Sequence, residues 1–413
     1  MNRFRTLPRR LLIILAVVGP GLITAFADND AAGVATYSVA AARYGYSMLT
    51  ILIPITIVLA VTQEIGGRIA IVSQKGLADL IREWFGIRVT IIMFLLLAAV
   101  NFGVIVQNFT GLKAGFELFG INPAIFLPLA TILLFLFIVK ASYKMIQHFF
   151  FVLIFFYLTY FFSAILAKPD WMLAAKSLVV PAGPVSAGYL FTAIAVLGTT
   201  VTAWGQFFIN SYVKDKNIPV ENLRYSRWEI YIGAILTDLF SFFMMVAVTA
   251  TIFVHRLPIA DAAAAAISIR PFAGPFAGAL FGLGLIVAGF LGAIIVPLTT
   301  AYAFSEFFGF SGSLDEPFHK SKTFYLLFLV QIVAGLLVTM LPNISLFRIT
   351  LAANFVNGAI LPIIFFFLYR LANNRNLMGR YQNTRLQNIL LVGAGVVITI
   401  ASLLGISGQV MGW

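Results

Sequence analysis

Three consecutive polar residues, Asp28, Asn29 and Asp30, interrupt an apolar run that begins at Leu11 and continues to about Arg43. A helix needs roughly 20 apolar residues to cross a bilayer, so this triplet falls near mid-depth. A carboxylate there costs about 2.5–3.5 kcal/mol on insertion scales, and two are seldom kept without a function. On an unbroken helix, residues two apart point to nearly opposite sides, so Asp28 and Asp30 cannot both face one ligand. They can if the helix unwinds, and unwinding also frees backbone carbonyls beside them. Non-helical backbone at that depth persists only where it is buried in protein or lines a water-filled cavity. The expectation is therefore a first span broken from about Asp28 to Gly33, carrying a cation site of the kind secondary transporters build at the midplane. The plainer alternative is a pair of structural aspartates bonded to another helix.

A second unusual stretch runs Leu197-Gly198-Thr199-Thr200-Val201-Thr202-Ala203-Trp204-Gly205-Gln206. Two glycines bracket a threonine-rich run in mid-span. A single membrane threonine is ordinarily bonded to its own helix, so the weight here is positional. The two interrupted spans open two successive sets of five, and paired interruptions of that kind point to an inverted-repeat transporter site. The sequence offers no residue-level identity between the halves. Gln107, Asp238, Asn354 and Asn357 are further candidate lining residues; each also serves as an ordinary interhelical hydrogen-bonding group. Asn354 and Asn357 share a helix face. Glu64 reads as the partner of Arg68, four residues on.

These elements must be positioned by a membrane protein. Of 413 residues, 61% are hydrophobic and only 10% are charged, a composition that excludes an ordinary soluble domain. Cysteine is absent, which excludes disulfides and thiolate metal sites. Only His148, His255 and His319 occur, so a histidine-rich metal centre or proton relay is not expected. The net charge of +12 reports loop asymmetry and not a nucleic-acid partner.

About eleven spans are legible: Leu11–Arg43, Ser47–Val72, Val89–Leu118, Pro123–Val139, Ile146–Ala167, Ala187–Val213, Trp228–Val254, Ala277–Phe307, Thr323–Met340, Leu346–Tyr369 and Gln387–Leu404. Basic residues before span one and after spans two, four, six, eight and ten fall on one side, which places that side and the N-terminus in the cytoplasm. Met1–Val18 with Ala25-Phe26-Ala27 has the outline of a cleavable signal, but the apolar pattern continues past the cut, so an uncleaved span is expected. Pro258–Pro275 reads as a short outer helix capped by Asp261 and ended near Pro271. Gly274, Gly278 and Gly282 form a small-residue ladder suited to close helix packing.

The order Gly19-Pro20-Gly21, a polar break with Asp, then Ala35-Thr36 and Tyr44-Gly45-Tyr46, resembles the first span of the NRAMP divalent-metal transporters. The stretch from Gln63 to Glu83 is similar to the segment after their second span. The resemblance covers most of the chain and implies an all-α LeuT-type fold, with two inverted five-helix repeats at roughly 11–167 and 187–369 and an eleventh helix at roughly 387–404. It also implies a metal site. The family Asp falls on Asp30 and the family Asn on Gly33. The family Met, Pro and His fall on Thr202, Ala203 and Trp204, and the ligating carbonyl on Thr199. Acidic positions of span three fall on Val104 and Gln107, and the paired arginines of span nine are missing.

Loss of the thioether leaves hard oxygen ligands, which suit Mg2+ with retained waters better than softer metals. The pattern, above all Thr202-Ala203-Trp204-Gly205-Gln206, is similar to the NRAMP-related magnesium transporters. That resemblance implies Mg2+ and Mn2+ transport without proton coupling. The expected metal-site residues are Asp30, Asp28, Thr199, Thr202, Gly33, Asn354, Asn357 and Gln107, with Asp30 as the principal ligand and Asp28 as its partner. No cofactor and no nucleic acid are expected; the cargo is the divalent cation. A monomer in a bacterial plasma membrane is the expected setting. A classical proton-coupled Mn2+/Fe2+ importer is the first alternative, and an amino-acid transporter on the same fold the second. An enzyme is disfavoured, since no His-Glu-x-x-His, cysteine or Ser-His-Asp arrangement is visible.

Overall fold

The protein is described by a computed structural model covering residues 19–181, 186–257, 265–266, 269, 272–341 and 346–411. Regular structure among these residues is entirely helical. Among the described residues, ten helices are long and apolar enough to cross a membrane, where the sequence suggested eleven spans. The difference lies at the beginning. Leu11–Val18 is outside the described residues; span one enters as Pro20–Ala27 and resumes as Ala31–Tyr44. A 3-10 stretch, Gly45–Ile51, then leads directly into Leu52–Ser73. The helical run Ala31–Ser73 thus counts once, at 43 residues. At 1.5 Å per residue it is about 65 Å long, twice the thickness of a hydrocarbon core. It therefore carries the second half of span one and all of span two. The other nine helices coincide with spans three to eleven.

The architecture is the LeuT type, and its five-span duplication is visible in local backbone. Spans one and six both break. Spans five and ten both divide, into Tyr143–Phe155 and Leu158–Leu166, and into Leu346–Ala359 and Leu361–Ala372. Spans three and eight, Leu77–Leu118 and Pro275–Phe308, pack along one another. Each is entered through a glycine of nearly the same conformation: Gly86 at φ 81, ψ 171 and Gly274 at φ 89, ψ 163. A Cβ at either position meets nothing within 4 Å. The backbone itself demands glycine, because that region is essentially closed to other residues. An odd number of spans per unit turns the second unit over relative to the first.

The outer helix expected over Pro258–Pro275, capped by Asp261 and ended near Pro271, falls largely outside the described residues; Phe272 and Ala273 are helical and Gly274 is not. Within the glycine ladder, Gly274 serves the turn, whereas Gly282 serves packing: a Cβ there would stand 2.1 Å from Leu118 Cδ2.

Span eight is the central helix, with 72% of its apolar window buried; span eleven is peripheral, with 17%. Leu95, Ile125, Phe155, Leu239, Leu337 and Val397 point outward, as lipid-facing side chains do. Glu64 and Arg68 pair as the sequence suggested, Oε1 to Nε at 2.9 Å, both fully buried. Arg227 Nε reaches the same oxygen at 2.6 Å, and Gln387 Nε2 donates to Glu64 Oε2 at 2.7 Å. This group ties spans two, seven and eleven together on the side of the arginine-rich loops. On that same side Glu229, buried in span seven, accepts from the backbone N–H groups of Gly19 and Leu22 at 2.6 and 2.9 Å. It caps the first half of span one, supplying the acceptor that orphan N–H groups at a helix start require.

Candidate cation site

The first break is shorter than expected. Pro20–Ala27 ends with Asp28 as its C-cap, and helix resumes at Ala31 with Asp30 as the N-cap. The non-helical stretch is Asp28 to Asp30; Gly33 lies in the first turn of the resumed helix and donates its N–H to Asp30 Oδ1 at 2.9 Å. Asp30 has an extended backbone, φ −62 and ψ 179. Asn29 points to the other side and anchors the turn. Its Nδ2 donates to the carbonyl and hydroxyl of Thr237 at 2.7 and 2.8 Å, its Oδ1 accepts from Ser241 at 2.8 Å, and its carbonyl accepts from Tyr157 at 2.8 Å. All three residues are at most 2% exposed.

The second break is Val201-Thr202, between Ala187–Thr200 and Ala203–Asp215. Thr202 is the N-cap of the second half. Its Oγ1 accepts from Gly205 N at 2.9 Å and donates to Asp28 Oδ1 at 2.9 Å. The two breaks therefore meet through one hydroxyl and one carboxylate. Tyr37 and Thr200 add a second link, with their hydroxyls 2.5 Å apart.

Each carboxylate is held by a different span. Asp28 Oδ2 accepts from Gln63 Nε2 of span two at 3.0 Å. Asp30 Oδ2 accepts from Asn108 Nδ2 of span three at 2.7 Å, while Asn108 Oδ1 accepts from Ala31 N at 3.0 Å. Gly33 leaves room between two more oxygens: a Cβ there would lie 2.8 Å from the Asp28 carbonyl and 3.5 Å from Thr199 Oγ1. The local donor set is carboxylate, hydroxyl, amide and carbonyl oxygen. Two helices, Pro20–Ala27 and Ala187–Thr200, direct their C-terminal carbonyl ends at this place, and a helix C-terminus favours a cation. Among the described residues no three His, Cys, Asp or Glu side chains gather as a metal cluster. The arrangement is a pair of acids with neutral oxygens around them.

Span ten supports the second break. Asn357 Oδ1 accepts from Ala203 N at 3.0 Å, and its Nδ2 donates to the Gly198 carbonyl at 2.8 Å, so one amide bridges the break. Asn354 Nδ2 donates to Thr36 Oγ1 at 2.7 Å. Spans six and ten approach closely here, since a Cβ on Gly198 would stand 2.2 Å from the Asn354 carbonyl and 2.5 Å from Gly358 N. Gln107 is buried in span three, one residue before Asn108. Asp238 is buried in span seven, where its Oδ2 accepts from Thr56 at 2.6 Å.

Of the expected residues, Asp28, Thr202, Thr199 and Gly33 come together at the breaks, with Asp30 on the span-three side. Asn357 and Asn354 brace the breaks from span ten. Gln63 and Asn108, the direct amide partners of the two carboxylates, were not among them. Their signal was a buried-depth amide on each of two neighbouring spans, a signal shared by many residues that do nothing more than join helices.

A family model described as natural resistance-associated macrophage protein-like, Nramp, matches residues 21–407. The chain is 25% identical over 407 residues to a divalent metal cation transporter, MntH, of Klebsiella pneumoniae, covering 96% of this chain and 95% of the relative. In fold it is similar to a manganese transporter of Eremococcus coleocola solved with an aromatic bis-isothiourea compound. That match has a TM-score of 0.78 and 19% identity over 98% of this chain and 90% of the other. It is also similar to MhsT in complex with L-phenylalanine, with a TM-score of 0.62 and 15% identity over 96% and 98% of the two chains.

Proposed function

Because this chain belongs to the Nramp family, we propose that it carries divalent metal cations across the membrane by alternating access, with Mg2+ and Mn2+ as cargo. The relatives are named as divalent metal cation and manganese transporters, which supports the coarse activity and a transporter in place of an enzyme. The finer reading rests on the donor set. Asp28 is hydrogen-bonded across to Thr202 at the point where the family carries a thioether, so the second break offers oxygen there. Hard oxygen ligands with room for water suit Mg2+, which dehydrates reluctantly. This supports placing the chain with the NRAMP-related magnesium transporters.

Two carboxylates also suit the charge. A divalent cation between Asp28 and Asp30 leaves a neutral site, whereas one carboxylate leaves a net positive charge at a depth where charge is costly. The same charge argument disfavours an amino-acid substrate, whose own carboxylate the pair would repel. Thr199 and Thr202 contribute neutral oxygens, Gly33 space, and Asn354, Asn357 and Gln107 support from spans ten and three. Repeat one at 11–167, repeat two at 187–369, a cytoplasmic N-terminus, a bacterial plasma membrane and a monomer complete the proposal.

Proton coupling is not required by this reading. His148 and His255 lie at the ends of spans five and seven, His319 in the loop after span eight, and the relevant span-three positions are Val104 and Gln107. The experiment is cation uptake by proteoliposomes containing the wild type or Asp30→Ala. Mg2+ and Mn2+ uptake is expected in the wild type and its loss in a folded variant. Undiminished uptake by Asp30→Ala refutes the site.

A further inference from the structure

Thr202, Gln206, Asn210 and Lys214 recur at four-residue intervals along the second half of span six. That spacing places them on one helix face. The first three are at most 2% exposed. Opposite them runs span two with Thr62, Gln63 and Gly66: Gln206 Nε2 donates to Thr62 Oγ1 at 3.3 Å, and a Cβ on Gly66 would stand 2.9 Å from Asn210 Nδ2. The seam begins at Asp28, which accepts from both Gln63 and Thr202. From Thr202 to Asn210 it advances eight residues, about 12 Å along the helix.

The amides along this seam share one property. Each nitrogen has a partner: Gln63 donates to Asp28, Gln206 to Thr62 and Asn210 to the backbone carbonyl of Gln206. None of the three side-chain carbonyl oxygens accepts a hydrogen bond from the protein, although all are buried. Buried acceptors are ordinarily satisfied, because an unmet one loses its hydration without compensation. Buried amide oxygens of Asn101, Gln107 and Asn354 share this property elsewhere, but these three follow one another on two facing helices, starting at the carboxylate of the candidate site. Apolar residues of similar size would fill the seam without that loss.

We propose that the carbonyl oxygens of Gln63, Gln206 and Asn210 form a carboxylate-free track that receives a divalent cation from Asp28 and leads it toward the membrane face where span six ends. Neutral, hard oxygens suit this step: they replace part of the hydration shell of Mg2+ or Mn2+ yet hold it less firmly than a carboxylate, and transport requires binding weak enough to leave. Spans two and six are in direct contact along the seam, so the track is used only when they part. At its far end Lys214 pairs with Asp79 at 2.8 Å and lies 3.7 Å from Glu306, which keeps its positive charge engaged beside the exit. The inference rests on the cation-transport reading and adds three ligands to it.

The test is Mn2+ uptake by proteoliposomes together with equilibrium Mn2+ binding by calorimetry, using wild type, Gln206→Leu, Asn210→Ala and Gln206→Glu. The first two variants are expected to slow uptake by about tenfold or more while binding stays within about threefold, since Asp28 and Asp30 are intact. Gln206→Glu keeps the volume and adds a charge; it is expected to bind Mn2+ about tenfold more tightly and to release it slowly. A role confined to packing would not produce that gain. Wild-type uptake rates in the Leu and Ala variants, or unchanged affinity in Gln206→Glu, overturn the track. The Glu variant decides the matter if the Leu variant does not fold. A wild type that takes up no divalent cation overturns the transport reading itself, a different outcome from normal wild-type uptake with unaffected variants.

Discussion

Gly292→Ala should disturb the candidate site from span eight without touching a charged group. A Cβ on Gly292 would stand 2.2 Å from Asn108 Oδ1, 2.3 Å from its Cγ and 2.4 Å from its Nδ2, so about 1 Å of movement is needed to restore ordinary contact. Asn108 is not free to give way: it donates to Asp30 at 2.7 Å and to the Val104 carbonyl at 3.0 Å, and accepts from Ala31 N at 3.0 Å. If the amide swings out, the bond to the carboxylate is lost at about 1.5–3 kcal/mol and that from Ala31 at about 0.5–1.5 kcal/mol. If the helices part instead, overpacking costs about 1–3 kcal/mol. The destabilisation is therefore about 1–4 kcal/mol, with the lower end set by helix separation and the upper end by loss of the amide's hydrogen bonds. The chain has no cysteine for a thiol-reactive dye but has five tryptophans, so thermal unfolding is followed by intrinsic fluorescence, with Mn2+ affinity measured alongside. Affinity should fall about tenfold for each 1.4 kcal/mol that Asp30 loses in positioning. The decisive comparison is the Asn108→Ala background, where the clash is gone and Gly292→Ala should cost less than about 0.5 kcal/mol. A wild-type melting profile for the single variant, or an equal cost in both backgrounds, refutes the reasoning.

The remaining predictions concern selectivity, backbone and coupling. Thr202→Met is expected to shift competition toward Mn2+ or Cd2+ over Mg2+, because a soft ligand enters an oxygen site; an unchanged preference in competitive uptake counts against it. Gly86→Ala is expected to destabilise by about 1–3 kcal/mol through backbone conformation alone, since its Cβ meets nothing within 4 Å; a fluorescence melt equal to wild type contradicts this. Mg2+ or Mn2+ uptake is expected without stoichiometric lumenal acidification, read by a pH-sensitive dye in proteoliposomes, because the three histidines lie outside the breaks and Val104 and Gln107 do not titrate. Acid should still slow uptake, as protons compete for Asp28 and Asp30; lumenal acidification in proportion to metal flux would restore the coupled alternative.

What was legible in the sequence follows from what is costly in a membrane. Carboxylates at mid-depth are too expensive to be incidental, so Asp28, Asp30 and the broken first span could be read directly, as could the second break from two glycines around a threonine run. Spans one and two count as one continuous helical run because the 3-10 stretch Gly45–Ile51 joins them without a polar loop. The glycine hinges Gly86 and Gly274 are invisible to hydropathy, yet each opens a long apolar helix and their dihedrals nearly match.

The identity of each carboxylate's partner was not legible, because it depends on which spans meet. Register alone favours Asp30, which the fold directs to Asn108 of span three, while Asp28 is the acid that reaches the second break. One local signal for that contact did exist. Thr202 is followed three residues later by Gly205, whose N–H it caps at 2.9 Å, so a helix restart at Ala203 could have been read from N-cap chemistry. A hydroxyl that accepts from the backbone still has its proton to give, and here it gives it to Asp28 at 2.9 Å. A thioether at the same position could neither cap the helix strongly nor donate to the acid. Thr202 thus couples the two broken helices through one hydroxyl oxygen, which accepts from Gly205 N and donates to Asp28 Oδ1.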